Sequence, residues 1–312
     1  MPSKPPFILC LMGPTASGKT ALAVELVQRF PFEIISVDSA MVYRGLDIGT
    51  AKPTADILRI APHRLIDIRD PAEFYSAGEF RADALREIES IVEGGKIPLL
   101  VGGTMMYFHL LQHGLDDLPV QDPAIRAQIQ EEGEQEGWTV LHEKLATLDP
   151  QAAARIHPHD AQRIQRALEV FALTGKPLTE QQLQGQTVAP LPYPLQHLIL
   201  CPEDRSRLHQ RIEQRFLTML EQGFMEEVKG LRQRPDLNLE KPAIRSVGYR
   251  QAWEHLEGKL SFEEMTEKAI IATRQLAKRQ ITWLRRWKDA AWFDSEDAGV
   301  VGKVREYIGS LF

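Results

Sequence analysis

The stretch LMGPTASGKTALAVEL, residues 11–26, constrains this chain more than any other. An apolar run enters a loop, and the loop opens into an amphipathic segment. Gly13-Pro14-Thr15-Ala16-Ser17-Gly18-Lys19-Thr20 matches G-x4-G-K-[ST], placed between a strand pattern and a helix pattern. Glycines let a backbone wrap an anion with its N–H groups, and the helix N-terminus adds its dipole. Lys19 would meet phosphate oxygens as a point charge. The Thr20 hydroxyl would hold Mg²⁺, which prefers oxygen ligands. These residues form the candidate phosphate-binding set, with Thr20 the candidate metal ligand.

The surrounding pattern is that of a parallel sheet. FILCLMG (7–13), EIISVD (33–38), IPLLVGG (97–103) and LQHLILC (195–201) are apolar runs bounded by turn residues, as strands buried on both faces should be. HRLIDI (63–68) reads as a further short strand. A helix is expected from Thr20 to about Phe30. Another is expected over 76–96, opened by a Ser76–Glu79 capping box and stopped at Gly94-Gly95. Alternating strands and helices imply an α/β fold with a parallel sheet. From Leu118 to about Thr187 the pattern turns helical, in 122–137, 139–149 and 160–175, followed by a looser connection over 181–194. The expectation is a core of 1–118 and 190–312 with a helical insertion at 119–189. Helices are expected from residue 204 to the C-terminus.

Composition narrows the class. The chain has 312 residues, a net charge of −6 and two cysteines, Cys10 and Cys201, both inside apolar runs. Lone buried thiols suit a reducing compartment rather than a disulfide framework. The N-terminal apolar run is too short for a signal peptide, and no run approaches the roughly 18–20 apolar residues of a membrane span. A soluble cytoplasmic protein without membrane partners is expected. An acidic chain argues against a generic nucleic-acid binder. Yet six Lys or Arg fall between Ile270 and Asp289 against one acid, so a local basic face remains open. Arg274, Lys278 and Arg285 share roughly one helical face, and Trp283 and Trp287 read as core.

ATP is the default phosphate compound for such a loop. A kinase or ATPase places an acid for Mg²⁺ at the end of a second apolar strand. Here 97–104 ends in Gly102-Gly103-Thr104, and the acid is Asp38, at the end of 33–38. A carboxylate beside a phosphate loop is costly unless cations or a proton transfer use it. Asp38 could hold metal through water, accept a substrate proton, or cap a helix. A P-loop small-molecule kinase or NTPase is the alternative function.

VDSAMVYRGLDIGTAKPT (37–54) adds a family resemblance. With GPTASGKT, APHRLIDI (61–68), LLVGGTMMY (99–107), RIHPHDAQRIQRALEV (155–170), IRSVGYRQAW (244–253) and ATRQLAKRQITWLR (272–285), it makes the chain closely resemble the bacterial tRNA dimethylallyltransferases. The resemblance runs in order from about Phe7 to Trp287. It implies transfer of a dimethylallyl group from dimethylallyl diphosphate to N6 of the adenosine 3′ of the anticodon. The tRNAs are those reading codons that begin with U, and diphosphate leaves.

The resemblance also assigns residues. Asp38 would be the base for the adenine amine. Arg215 would join the loop, Lys19 and Mg²⁺ in meeting the diphosphate charge, with Arg211 its rival. Thr20 and His63 complete the implied catalytic set. The tRNA anticodon stem-loop would be held by Asp38, Ser39, Ala40 and Met41, by Thr104 and Arg126, and by Gln162, Arg163, Ile164, Gln165 and Arg166. Ile244, Arg245, Ser246, Val247, Gly248 and Tyr249 would line the site, as would Gln275, Lys278, Arg279 and Gln280. The helical insertion would be the tRNA-binding domain, arching over the core to leave a channel. A monomer is expected.

Overall fold

In a computed structural model, residues 7–114, 118–119, 121–184 and 191–312 are described. The apolar runs become six strands, β1 (Ile8–Met12), β2 (Phe32–Val37), β3 (His63–Arg64), β4 (Ile97–Gly102), β5 (Leu195–Leu200) and β6 (Ala291–Phe293). They form one sheet in the order β3-β2-β4-β1-β5-β6, every pair parallel. The chain is therefore α/β, as its pattern requires.

Alternation along the strands feeds two cores. Cys10, Met12, Ile35, Val37, Leu100 and Ile199 face one side, and Leu9, Leu11, Ile34, Leu99, Leu198 and Leu200 the other. Burying each Leu or Ile side chain contributes about 1.5–3 kcal/mol. The second side is covered by α1 (Lys19–Val27) and, at the C-terminus, by the last helix (Val300–Gly309). The first side takes α3 (Ala77–Glu93), α4 (Met105–His113) and the later helices α10 (Arg205–Glu221), α11 (Phe224–Arg232), α12 (Tyr249–Leu256) and α13 (Phe262–Leu284). The short α2 (Ala55–Ile60) precedes β3, and the last helix is α14.

The chain divides into two compact units, Met1–Leu111 with Leu191–Phe312, and Gln112–Pro190. The second holds α5 (Pro123–Glu136), α6 (Trp138–Leu148), α7 (Pro150–Arg155), α8 (Ala161–Thr174) and α9 (Leu178–Gln184). Its core gathers Ile129, Leu141, Leu145, Ile164 and Leu168. Asp160 caps α8 by accepting from Arg163 N at 3.2 Å, and Gly175, at φ 69°, ends it.

Several boundaries differ from expectation. The strand expected over 63–68 stops at Arg64, because Leu65 (φ 61°) and Asp67 (φ 56°) turn the backbone left-handed. α1 ends at Val27 rather than near Phe30. β6 adds a strand where only helix was expected. α9 begins inside helical sequence and runs into the connection expected from 181. Thr187 and Ala189, the expected ends of the helical stretch and of the insertion, lie outside the described residues. Among the described residues, no helix is long and apolar enough to cross a membrane. Cys10 and Cys201 are both free and buried.

Candidate active site

Strand register brings the chemistry to one edge. Met12 lies opposite Gly102 and Ile199, and Val37 lies opposite Gly102. The residues that follow, Gly13, Asp38, Gly103 and, one step on, Cys201, therefore leave the sheet together at its carboxyl edge. Open α/β sheets place ligands there. The backbones are close: a Cβ on Gly13 would sit 2.2 Å from Leu200 O, and one on Gly102 2.0 Å from Val37 O. Only glycine fits at either position.

The loop over Gly13–Thr20 has the backbone shape expected of an anion cradle. Ala16 (φ 62°) and Gly18 (φ 90°) are left-handed, which turns successive N–H groups to one side. α1 starts with Gly18 as N-cap, without a side-chain cap and without an acid in its first turn. Lys19 Nζ donates to Gly13 O at 2.9 Å and to Pro14 O at 2.6 Å. Burial, and then the Arg215 charge, lower the Lys19 pKa to about 7, with Asp38 opposing. The Thr20 hydroxyl has no partner among the described residues, which leaves an oxygen donor free for a cation.

Asp38 stands at the neighbouring strand end, half-buried. Its Oδ1 accepts from Ala40 N at 2.8 Å and Met41 N at 3.1 Å. Among the described residues its Oδ2 has no hydrogen-bond partner. Thr104 closes the same corner: its Oγ1 accepts from Ser39 N at 3.1 Å, and its own N–H donates to Val37 O at 3.2 Å.

Arg215 reaches the loop from α10. Its guanidinium donates to Thr15 Oγ1 and to Thr50 O, both at 3.2 Å. It forms no ion pair among the described residues, and burial lowers its pKa against the pull of Asp38. Half-buried and without a carboxylate among the described residues, it is a candidate to meet an anion. Arg211, the rival, is paired with Glu296 at 2.5 Å. Of the two, Arg215 is the one that donates to the loop.

His63 is not brought to this edge. It pairs with Ile34, four residues before Asp38 on β2, or roughly 13 Å away at about 3.3 Å per residue. Its Nδ1 contacts Ala61 O at 2.7 Å, and burial lowers its pKa. Those features also suit a structural histidine, and a catalytic role for His63 stays an expectation from the resemblance.

The expected RNA-facing residues separate by exposure. Ser39, Gln162, Arg163, Arg245, Gln275, Lys278 and Arg279 are exposed, and Ala40, Met41, Ser246 and Val247 are half-buried. Ile164, Ile244 and Tyr249 are instead fully buried core, which leaves only their backbone to face a ligand. Gly248, at φ 92°, caps α12. Gln280 is buried with both ends of its amide in use. Thr15 N donates to Oε1 at 2.9 Å, and Nε2 donates to Gly103 O at 2.8 Å. It braces the phosphate loop against the end of β4. In the second unit, fully buried Glu169 holds Arg126 at 3.5 Å and Arg166 at 2.8 Å, and Gln165 accepts from Arg126 at 3.0 Å.

Two features escaped the sequence reading. Glu227 accepts from three backbone N–H groups of the 47–49 segment, a pairing across about 180 positions that no local pattern announces. A cavity of about 270 Å³ opens between α10 and α13, with Leu208, Ile271 and Ile281 in its apolar wall and Arg205, Arg274 and Lys278 beside them. Trp287 is core, and Arg286 stacks 4.4 Å over the Trp283 ring.

The family model described as IPP transferase matches residues 41–287. A tRNA dimethylallyltransferase of Coxiella burnetii is 59% identical over 309 residues, covering 99% of each chain. One from Alkalilimnicola ehrlichii is 59% identical, covering 95% of this chain and 93% of its own. The crystal structure of a tRNA isopentenylpyrophosphate transferase from Bacillus halodurans superposes with a TM-score of 0.72 at 35% identity, covering 98% of this chain and 96% of its own. A eukaryotic dimethylallyltransferase acting on tRNA gives 0.79 at 27% identity, covering 98% and 80%. With the family model spanning most of its length, and relatives so similar from end to end, this chain belongs to the IPP transferase family.

Proposed function

We propose that the protein transfers the dimethylallyl group of dimethylallyl diphosphate to N6 of the adenosine 3′ of the anticodon, in tRNAs reading codons that begin with U. Diphosphate is released. The observation that carries this reading is the company Asp38 keeps. A carboxylate whose second oxygen has no protein partner among the described residues stands at the same sheet edge as the phosphate loop and Arg215, which forms no ion pair among those residues. The end of β4 supplies no acid, so the metal arrangement of a kinase is missing.

An exocyclic adenine amine is a weak nucleophile, because its lone pair is delocalised into the ring. As the C–N bond forms, Asp38 Oδ2 takes the amine proton. Oδ1 meanwhile stays on the N–H groups of Ala40 and Met41, which fixes the direction of the carboxylate. The leaving diphosphate meets the loop N–H groups, Lys19 and Arg215, all aimed where negative charge grows. Lys19 must exchange the carbonyls of Gly13 and Pro14 for diphosphate oxygens. Mg²⁺, held by the Thr20 hydroxyl, would supply further neutralisation of the diphosphate. A base must leave its stack to be modified, and an anticodon loop lowers that cost. The exposed residues Gln162 and Arg163 on one unit, and Gln275, Lys278 and Arg279 on the other, are the RNA-facing set.

The test pairs enzyme and substrate changes. Asp38→Asn should bind an anticodon stem-loop normally and lose most transfer. Wild-type enzyme should leave unmodified a stem-loop whose target adenosine is replaced by purine riboside, which lacks the amine. Transfer to that RNA would refute the assignment of N6.

A further inference from the structure

Among the described residues Arg215 has no carboxylate partner, and its aim is set by two oxygens. One belongs to Thr15 of the phosphate loop and the other is the carbonyl of Thr50. Thr50 lies in a segment with no regular secondary structure, so something else must hold that carbonyl still.

The segment is pinned from α11 and α12. Glu227 Oε2 accepts from Asp47 N at 2.9 Å and Ile48 N at 2.7 Å. Its Oε1 accepts from Gly49 N at 3.2 Å and from the Tyr249 hydroxyl at 2.6 Å. Four donors thus saturate one carboxylate, and hydrogen bonds to an ionised acceptor are about twice as strong as neutral ones. The Phe224 and Tyr249 rings close on Gly49, where a Cβ would sit 2.4 Å and 2.6 Å from them. Thr50 Oγ1 then ties back to Leu46 O at 2.6 Å. Tyr249, expected to touch RNA, is instead part of this clamp.

We propose that Glu227 is a positioning residue for the diphosphate site. Through the 47–50 segment it fixes the Thr50 carbonyl, and that carbonyl together with Thr15 aims the Arg215 guanidinium at the anion. Glu227 touches no substrate; it acts through Arg215. The proposal rests on the reading of the Gly13–Thr20 loop as a diphosphate site.

Binding of inorganic diphosphate with Mg²⁺, by calorimetry on the full-length chain, tests this without any transfer step. Glu227→Gln replaces one acceptor oxygen by a donor that faces an N–H, so the clamp loosens. Glu227→Gln and Arg215→Ala should each weaken diphosphate binding about tenfold. The double variant should bind no more weakly than Arg215→Ala alone, because coupled residues are non-additive. Wild-type affinity in Glu227→Gln, or two losses that multiply, would overturn the proposal. Should Glu227→Gln fail to fold, Tyr249→Phe keeps the three backbone donors. It should weaken binding about threefold, and only while Arg215 is present; an unchanged affinity would overturn the proposal. A wild-type protein that binds diphosphate without prenylating RNA would remove the transfer reading and leave this one standing.

Discussion

Asp38 Oδ1 holds a turn while Oδ2 has no partner among the described residues, so the structural role and the base role we propose separate by substitution. Asp38→Asn keeps an acceptor for Ala40 and Met41 N–H but cannot take a proton. It should melt close to wild type and transfer about 10²- to 10⁴-fold more slowly. Asp38→Ala should lose the same activity and also about 1 kcal/mol of stability, as a lost cap does. Near wild-type turnover in either variant would remove Asp38 as the base. Lys19 gives a prediction in pH. Its folded pKa is held down to about 7 by burial and by Arg215, and an arriving anion must raise it again. Above about pH 7 the free side chain is largely neutral and the bound one charged, so diphosphate binding takes up a proton there. Affinity should therefore fall as pH rises from about 7. Calorimetry at about pH 8 in buffers of different ionisation enthalpy should show uptake in the wild type that Lys19→Met abolishes. Equal uptake in both proteins would contradict the assignment.

The elements that carry these residues were legible to different degrees. Four sheet strands could be placed within a residue or two, because a strand buried on both faces must be apolar throughout. α3 was legible from its cap. Ser76 Oγ accepts from Glu79 N at 3.1 Å, and Glu79 accepts from Ser76 N at 2.7 Å. Ser76→Ala should cost about 1 kcal/mol in chemical denaturation, and no change would show that the box is idle. β6 was hidden, because AWF is short and only its pairing with β5 makes it a strand. β3 was overextended, because 63–68 is apolar enough for a strand while its left-handed turns leave no trace in composition. The strand–loop–helix that carries the Gly13–Thr20 motif was legible, since its residues are contiguous. The Glu227 clamp was not, since its partners meet only in the folded chain. Gly49 marks that difference. Its sequence neighbours say nothing, yet Gly49→Ala would drive a methyl into two aromatic rings. It should cost about 1–3 kcal/mol and loosen the hold on Thr50, seen as a lower Tm and weaker diphosphate binding together. A neutral Gly49→Ala would contradict the packing.

At the scale of the whole molecule, two units divide the labour we propose. The α/β unit holds anion and base at one sheet edge, and the helical unit offers polar surface on α8. Arg163 is exposed and, among the described residues, its one ion pair is with Asp160, at 2.9 Å. Arg163→Glu should weaken stem-loop binding several-fold and leave diphosphate affinity unchanged. The slope of log affinity against log salt should become shallower by about one if a phosphate contact is lost. Parallel losses of RNA and diphosphate binding would contradict the division. The net charge of −6 is compatible with this picture because one cluster of basic residues lies along the C-terminal half of α13 and just beyond it. The most direct test supplies the purified protein with an unmodified anticodon stem-loop and either labelled dimethylallyl diphosphate or labelled ATP. The account predicts that label from the prenyl donor enters the RNA at the adenosine 3′ of the anticodon, that diphosphate appears in equal amount, and that ATP is left intact. Hydrolysis of ATP with unlabelled RNA would contradict it.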